Sequence, residues 1–213
     1  TTSASTAIVN LNDFTLTIAG TGSTTFTAAL NGGVGTTGTA GVAGLRKIGS
    51  GNLTLGNNTN YTGATEVLGG TLTLNYNLLT TTPTTIINAG SILVLGGGTL
   101  TQTPKGTQTA SHTQTFASTT IAPGGSITTK GTPTATFGTT LGLGAITRQT
   151  GGAVDFGISN NGAGFTTATS VAGLDAGGLL GGWATTNLGA SWATLTLASG
   201  GNVVANTVNT NVF

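Results

Sequence analysis

The side chains able to do chemistry are few and scattered. Four acids, Asp13, Glu66, Asp155 and Asp175, each stand alone in the sequence. Acid–base cleavage of a glycan needs two carboxylates about 5 to 10 Å apart, and four acids offer few combinations. The one histidine, His112, has no neighbouring pattern of a nucleophilic triad or a metal site and reads as solvent-facing. Without cysteine there is no thiolate ligand, thiol nucleophile or disulfide. The glycine clusters at Gly32-Gly33, Gly96 to Gly98 and Gly177-Gly178 lack the Lys-Ser/Thr of a phosphate loop and the βαβ frame of a dinucleotide site, so they read as turns. No catalytic, cofactor-binding or metal-ligating set emerges, and the expectation is a non-enzyme without cofactor.

Binding residues are a better prospect. Arg148 and Asp155 flank a glycine-rich turn seven residues apart, as a local ion pair or as a polar grip on carbohydrate. Trp183 and Trp192 sit in two Trp-Ala-Thr units nine residues apart. An exposed indole stacks on a sugar or a protein, whereas a buried one fills a core corner. The Ala and Thr beside each indole favour packing in the core or an end cap. These four residues are the candidate ligand or partner contacts. The dipeptide Arg46-Lys47 reads as a solvated edge.

The elements that must position these residues follow from composition. Of 213 residues, 38 are Gly and 50 are Thr, and charged residues are 4%, against about a quarter in ordinary chains. Collagen is excluded because glycine has no three-residue period and there are only four prolines. With 37% apolar residues and a net charge of +1, the chain is not disordered through charge. Five Lys and Arg cannot neutralise a useful run of phosphates, so nucleic acid is excluded as a partner. No apolar run approaches the ~20 residues of a membrane helix, and no leader opens the chain. Threonine and glycine with few helix formers specify strands and tight turns, so the class is all-β.

Alternation of period two marks the strands. Phe14, Leu16 and Ile18 alternate with threonine, as do Leu53 and Leu55, Leu72 and Leu74, and Leu195 and Leu197. This places aliphatic side chains on a buried face and hydroxyls on a wet one. The strands recur: Gly51-Asn-Leu-Thr-Leu, Gly70-Thr-Leu-Thr-Leu and Gly98-Thr-Leu-Thr start 19 and 28 residues apart. Recurrence at that period is the mark of a solenoid. Thr-Gln-Thr occurs at Thr101, Thr107 and Thr113, reading as a polar loop or edge strands. The strand-like stretch around Pro133 belongs at an edge, and Ser170 to Leu180 is the one place for a helical turn. Thr-x-Thr pairs fall at irregular spacings, which argues against the flat threonine array of an ice-binding solenoid.

Residues 44–74 read GLRKIGSGNLTLGNNTNYTGATEVLGGTLTL. This stretch resembles the autotransporter-associated β-strand repeat of bacterial passenger proteins. The match runs through Leu45, Lys47, Gly49, Gly51, Leu53 and Leu55, then Tyr61-Thr62-Gly63 and Thr65, then Val67, Gly70, Leu72 and Leu74, with Glu66 where threonine is usual. The stretches from Leu143 to Phe156 and from Gly181 to Thr194 resemble modules that accompany the repeat. The resemblance implies a right-handed parallel β-helix, exported to the bacterial cell surface or released outside it, and it implies no chemistry.

The expectation is thus one β-helical unit over residues 1–213. Its parts are N-terminal coils over 1–43, the repeat over 44–74, further coils with the Thr/Gln-rich stretch over 75–160, and C-terminal coils with the Trp-Ala-Thr units over 161–213. Eight to eleven coils at ~4.8 Å per coil make a rod of ~40 to 50 Å. Leu16, Ile18, Leu53, Leu55, Val67, Leu72, Leu74, Leu93, Leu95, Leu195 and Leu197 are expected in its bore. Both ends read as ordinary strands without Pro or charge beyond Asp13, so the sequence anticipates end-to-end homo-oligomers. The functional expectation is a non-catalytic extracellular rod or fibre, with a glycan-binding or adhesin passenger as the alternative.

Overall fold

The computed structural model describes residues 8–32, 42–79, 85–105, 112–130, 139–157, 166–168, 170–171, 179–186, 188–196 and 201–205. The chain opens with β1 (Ile8–Asn10), β2 (Thr15–Ile18), β3 (Ser23–Phe26) and β4 (Ala29–Asn31). Then come β5 (Gly44–Lys47), β6 (Asn52–Leu55), β7 (Thr65–Val67), β8 (Thr71–Asn75) and a single 3-10 turn at Tyr76–Leu78. β9 (Leu93–Leu95), β10 (Thr99–Thr103), β11 (His112–Thr115), β12 (Ser118–Ile121), β13 (Gly124–Lys130) and β14 (Thr139–Gly142) follow. The last strands are β15 (Ala145–Arg148), β16 (Gly152–Phe156), β17 (Thr166–Ala168), β18 (Ser170–Val171), β19 (Ala184–Thr186), β20 (Ser191–Leu195) and β21 (Gly201–Ala205). The class is all-β, as the composition requires.

The strands stack as a parallel β-solenoid. One face runs β2-β5-β7-β9-β12-β15-β18 and a second runs β3-β6-β8-β10-β13-β16-β19, seven parallel strands in each. Among the described residues that is seven coils, where eight to eleven were expected for the chain, a stack of about 34 Å at ~4.8 Å per coil. The coils are longer than the 19-residue spacing suggested. Leu53 pairs with Leu72, but Leu100 pairs with Leu72 and with Thr128 at 28-residue offsets. The extra length builds a third side from β1 and β4 at one end and β11, β14 and β17 at the other. Between them the chain crosses this side without regular strands, held by Asn60 N–H to Leu30 O at 3.1 Å and Thr59 N–H to Ile86 O at 2.7 Å.

Alternation decides what fills the bore. Leu53, Leu72 and Leu100 lie in one inward column, all fully buried, and Leu45, Thr65 and Leu93 lie in another. The aliphatic positions expected there are buried or half-buried, with Leu16 and Ile18 less covered in the first coil and Leu197 outside the described residues. The polar stretch is a correction. Gln102, His112 and Gln114 are buried rather than displayed, and His112 stacks on Tyr76 with ring centroids 4.3 Å apart. Gln114 is fully used: its Oε1 accepts from the N–H groups of Ile86 and Ile87, and its Nε2 donates to Ile87 O and Thr115 O. Period two puts every second residue inward, and here those residues happen to be amides and an imidazole. The coils containing them stitch the irregular third side with side chains instead of a ladder.

The C-terminal end also departs from expectation. β20 and β21 run antiparallel, β20 against β19 and β21 against both β20 and β17. They join the second face to the third across the end of the stack. The Ser170 to Leu180 stretch begins as strand β18, and its middle lies outside the described residues, as does the segment around Pro133.

Leu72 is fully buried at the centre of its column. Leu72→Ala is expected to cost about 2–5 kcal/mol. Leu72→Asp is expected to abolish the cooperative urea transition, since an unpaired buried charge costs several kcal/mol. A native-like midpoint for Leu72→Asp would contradict the inward column.

Candidate functional site

Two places concentrate polar and aromatic side chains, the motif at residues 44–74 and the last parallel coil. The motif residues turn out to be stitches between coils. Alternation sends Arg46 outward, where it pairs with Glu66 on the next coil, and sends Lys47 inward. Lys47 is 1% exposed, and its ammonium donates to Ile48 O at 2.8 Å, Gly49 O at 2.9 Å and Gly69 O at 3.3 Å. Burial pushes this amine below the ordinary lysine range. The pair is therefore not one solvated edge: only Arg46 is. The three carbonyls offset the desolvation of the charge and tie a corner of one coil to the next.

The aromatic half of the motif works the same way. Tyr61 is buried, and its hydroxyl meets Thr65 Oγ1 at 3.0 Å, which in turn meets Ser91 Oγ at 2.9 Å. Ser91 donates to Gly63 O at 2.7 Å, so this chain of hydroxyls closes back on the motif's own turn. In the Asn-rich turn, Asn57 Nδ2 donates to Thr27 O on the preceding coil and Asn58 Nδ2 to Thr85 O on the following one. Asn60 Oδ1 accepts from Gly32 N–H. Apart from Tyr61, whose hydroxyl bonds Thr65 of its own coil, the polar motif residues named here bond the backbone or a side chain of a neighbouring coil.

The four candidate contact residues are gathered at the other end of the rod. β13, β16 and β19 lie side by side, and their outward residues form a trough of about 350 Å³ lined by Gly125, Ile127, Ala153, Asp155, Trp183 and Thr185 among others. Registers explain its shape. Gly125 pairs with Ala153, leaving little side chain on one row, while Ile127, Asp155, Thr185 and Trp192 follow one another on the next. Trp183 is half-buried and also packs against the core, and Trp192 is 43% exposed. Trp183 thus packs in part on the core, and Trp192 stands on β20 across the end of the stack.

Arg148 and Asp155 do not pair with each other; among the described residues the one salt bridge joins Arg46 to Glu66. Arg148 Nε donates to Gly152 O at 2.8 Å, and its guanidinium lies 5.9 Å from the centroid of the Trp183 ring, within cation–π range. Asp155 holds the β19–β20 turn. Its Oδ2 accepts from Thr185 Oγ1 and Gly189 N–H, each at 2.7 Å, and its Oδ1 from Leu188 N–H at 3.0 Å. Leu188 stands at φ +58, a left-handed conformation that costs a non-glycine residue about a kcal/mol or more, so the carboxylate fixes a strained turn. Asp175 lies outside the described residues. Among the described residues, no three His, Asp or Glu side chains converge to hold a metal ion.

The family profile described as the passenger-associated-transport-repeat matches residues 45–74. Residues 45–74 of the chain form one such repeat. Among curated proteins it is similar to the "Adhesin BmaC autotransporter" of Brucella suis biovar 1 (strain 1330), at 38% identity over 128 residues. That alignment takes in 60% of this chain and 3% of the relative, so the chain spans a small part of the protein it matches. No solved structure matches. The matched repeat covers β5 through most of β8, the stitches of Lys47, Tyr61 and Thr65 included, and leaves the trough outside it.

Both tyrosines of the chain, Tyr61 and Tyr76, are fully buried, and burial raises both phenols above their ordinary range near 10. A folded pKa above the unfolded one means that this contribution to stability is intact below about pH 10 and is lost as pH rises through and beyond that value. Spectrophotometric titration is expected to show no tyrosinate near pH 10 and then a steep rise coincident with loss of the β-sheet circular dichroism. An ordinary, reversible titration of either phenol in the folded protein would contradict the burial.

Proposed function

We propose that this chain is a non-catalytic segment of a bacterial surface passenger, displayed outside the cell on a stiff β-solenoid and acting in adhesion. The observation that carries the reading is the passenger repeat at residues 45–74, in which Lys47, Asn57, Asn58 and Thr65 are committed to coil-to-coil contacts. The similarity to a protein named as an adhesin autotransporter supports the adhesive role. Surface composition supports the location. With 4% charged residues, hydration falls to hydroxyls and amides, and proteases that cut at Lys or Arg find few sites. Glu66 and Asp155 are held by Arg46 and by the β19–β20 turn, and neither is poised for proton transfer, which supports the non-catalytic reading.

Length in such a rod comes either from separate subunits stacked end to end or from one long polypeptide. β2 and β3 are terminal strands of the first coil and have no outer neighbour among the described residues. At the other end β20 and β21 occupy the edges that a stacking subunit would need on two of three sides. That arrangement disfavours a filament of separate copies joined through this end. The much greater length of the relative agrees with this reading.

Beads coated with the purified chain are expected to adhere to an epithelial monolayer well above uncoated beads, and light scattering is expected to give a 20.6 kDa monomer. Adhesion at the level of the uncoated control would remove the adhesive role. Concentration-dependent fibres in electron micrographs would restore end-to-end stacking of copies.

A further inference from the structure

We infer that the trough across β13, β16 and β19 is a binding subsite for a neutral saccharide chain, with Trp183 as its stacking platform; this deepens the adhesive reading above and rests on it.

The trough lies where the repetitive surface of the second face breaks. Along that face the outward positions of successive coils stack in two rows. One row runs Asn52, Thr71, Thr99, Ile127 and Asp155, and the other runs Thr25, Thr54, Thr73 and Thr101. The coils differ in length, yet the pairing registers bring these pairs into line. The irregular spacing in sequence therefore does not prevent a registered array. It is not a bare threonine lattice, because Asn52 lies over it, donating to Thr54 Oγ1 at 3.2 Å and accepting from Thr73 Oγ1 at 3.0 Å. It is a polar track with hydroxyl and amide groups at the ~4.8 Å coil spacing, close to the rise of one sugar in an extended polymer.

At the end of the track the side chains change in size. Gly125 has no side chain, and a Cβ built there meets nothing within 4 Å, so the space above it is open. Ala153 beside it is small, and Trp183 stands as the far wall. The indole is held by Arg148 at 5.9 Å and by its packing on the core, so little conformational freedom remains to be lost on binding. Beside it lie Asp155 and the hydroxyl of Thr185, and Ile127 supplies an apolar patch. Asp155 Oδ1 accepts one hydrogen bond from the protein, which leaves it capacity for another.

An indole, an aliphatic patch and a carboxylate acceptor in one open trough match a sugar ring, which has an apolar C–H face and a rim of hydroxyl donors. They do not match an anion, since the carboxylate stands inside the trough. They do not match an apolar ligand either, since the trough is open and continues into a polar track. Chain length matters for the same reason: a polymer can lie along the track and be anchored at the trough.

The chain has two tryptophans, so Trp192→Phe leaves Trp183 as the sole indole reporter. Its emission is titrated with linear neutral oligosaccharides, cellohexaose and mannohexaose, and with heparin as the sulfated control. A saturable shift with a neutral hexasaccharide, weaker with its disaccharide, is expected. Gly125→Leu fills the trough while keeping the Trp183 indole, and its backbone is not in the left-handed region, so the fold is expected to survive. Calorimetry is expected to show at least tenfold weaker binding for Gly125→Leu and for Trp183→Ala, with circular dichroism checking the fold of each. Absence of any saturable response to neutral oligosaccharides would overturn the inference. So would binding to heparin alone that salt abolishes, or neutral binding unchanged by Gly125→Leu. Beads that adhere to cells without any sugar response would sink the saccharide subsite and leave the adhesive reading standing.

Discussion

Close approach of the backbone at the glycine corners is the constraint on which the stack depends. A Cβ at Gly51 would lie 2.0 Å from Gly22 O, and one at Gly70 would lie 2.3 Å from Gly51 O. These distances leave no room for any side chain, so successive corners rest directly on one another. Gly70 also stands at φ +62, which favours glycine independently of space. Only when corners touch can the next strand begin at the same height as the last. The in-register columns of Leu53, Leu72 and Leu100 follow from that contact, and so do the rows of hydroxyls on the outer surface. Lys47 reinforces one such corner by donating to Gly49 O and Gly69 O, which belong to successive turns.

The passenger repeat can be understood as the set of side chains that lets a coil hand its geometry to its neighbours. A solenoid gains most of its stability from contacts between adjacent units. Two sides of this one achieve that through parallel ladders. The third side is irregular around residues 57–63 and 85–91, and there asparagines, Tyr61, Thr65, Ser91 and Gln114 supply the bonds that a ladder would have made. Loops on that side can vary in length because side-chain stitches tolerate insertions that a ladder would not. This accounts for neighbouring coils offset by 19 residues in one case and 28 in the next without loss of register.

Much of this was legible from alternation. Leu-Thr-Leu with a preceding glycine identifies strand, inward face and corner at once for β6 and β8, and Gly98-Thr-Leu-Thr does so for β10. What escaped is instructive. His112 and the flanking glutamines look like surface residues because polarity is a poor guide where a bore is closed by buried amides. Arg46 and Lys47 look alike in sequence, and only the parity of their positions separates an exposed cation from a buried one. The coil count was misjudged because the third side carries no periodic signal. The antiparallel strands β20 and β21 have the same composition as parallel ones, and β20 reverses at a turn that Asp155 holds from another coil. Trp183 and Trp192 stand out by their repeated Trp-Ala-Thr units, and Arg148 and Asp155 by flanking a glycine-rich turn. The structure brings them to one end of the stack, with Arg148 on the first face and Asp155 and Trp192 on the second, though not as the ion pair that the spacing of Arg148 and Asp155 suggested.

Repetition itself explains why that end is chemically distinct. Along a registered stack, each outward row tends toward one residue type, because neighbours at ~4.8 Å must be mutually compatible. Threonine satisfies this by offering both a methyl group and a hydroxyl, and the result is a surface with little to distinguish one coil from the next. Where β19 turns into an antiparallel hairpin the axial repeat stops, and the rows are no longer bound to copy the coil below. Large aromatic side chains can then stand beside Gly125 and Ala153 without clashing with a further parallel coil. The same break that closes two sides of the stack therefore supplies relief, charge and aromatic surface in one place.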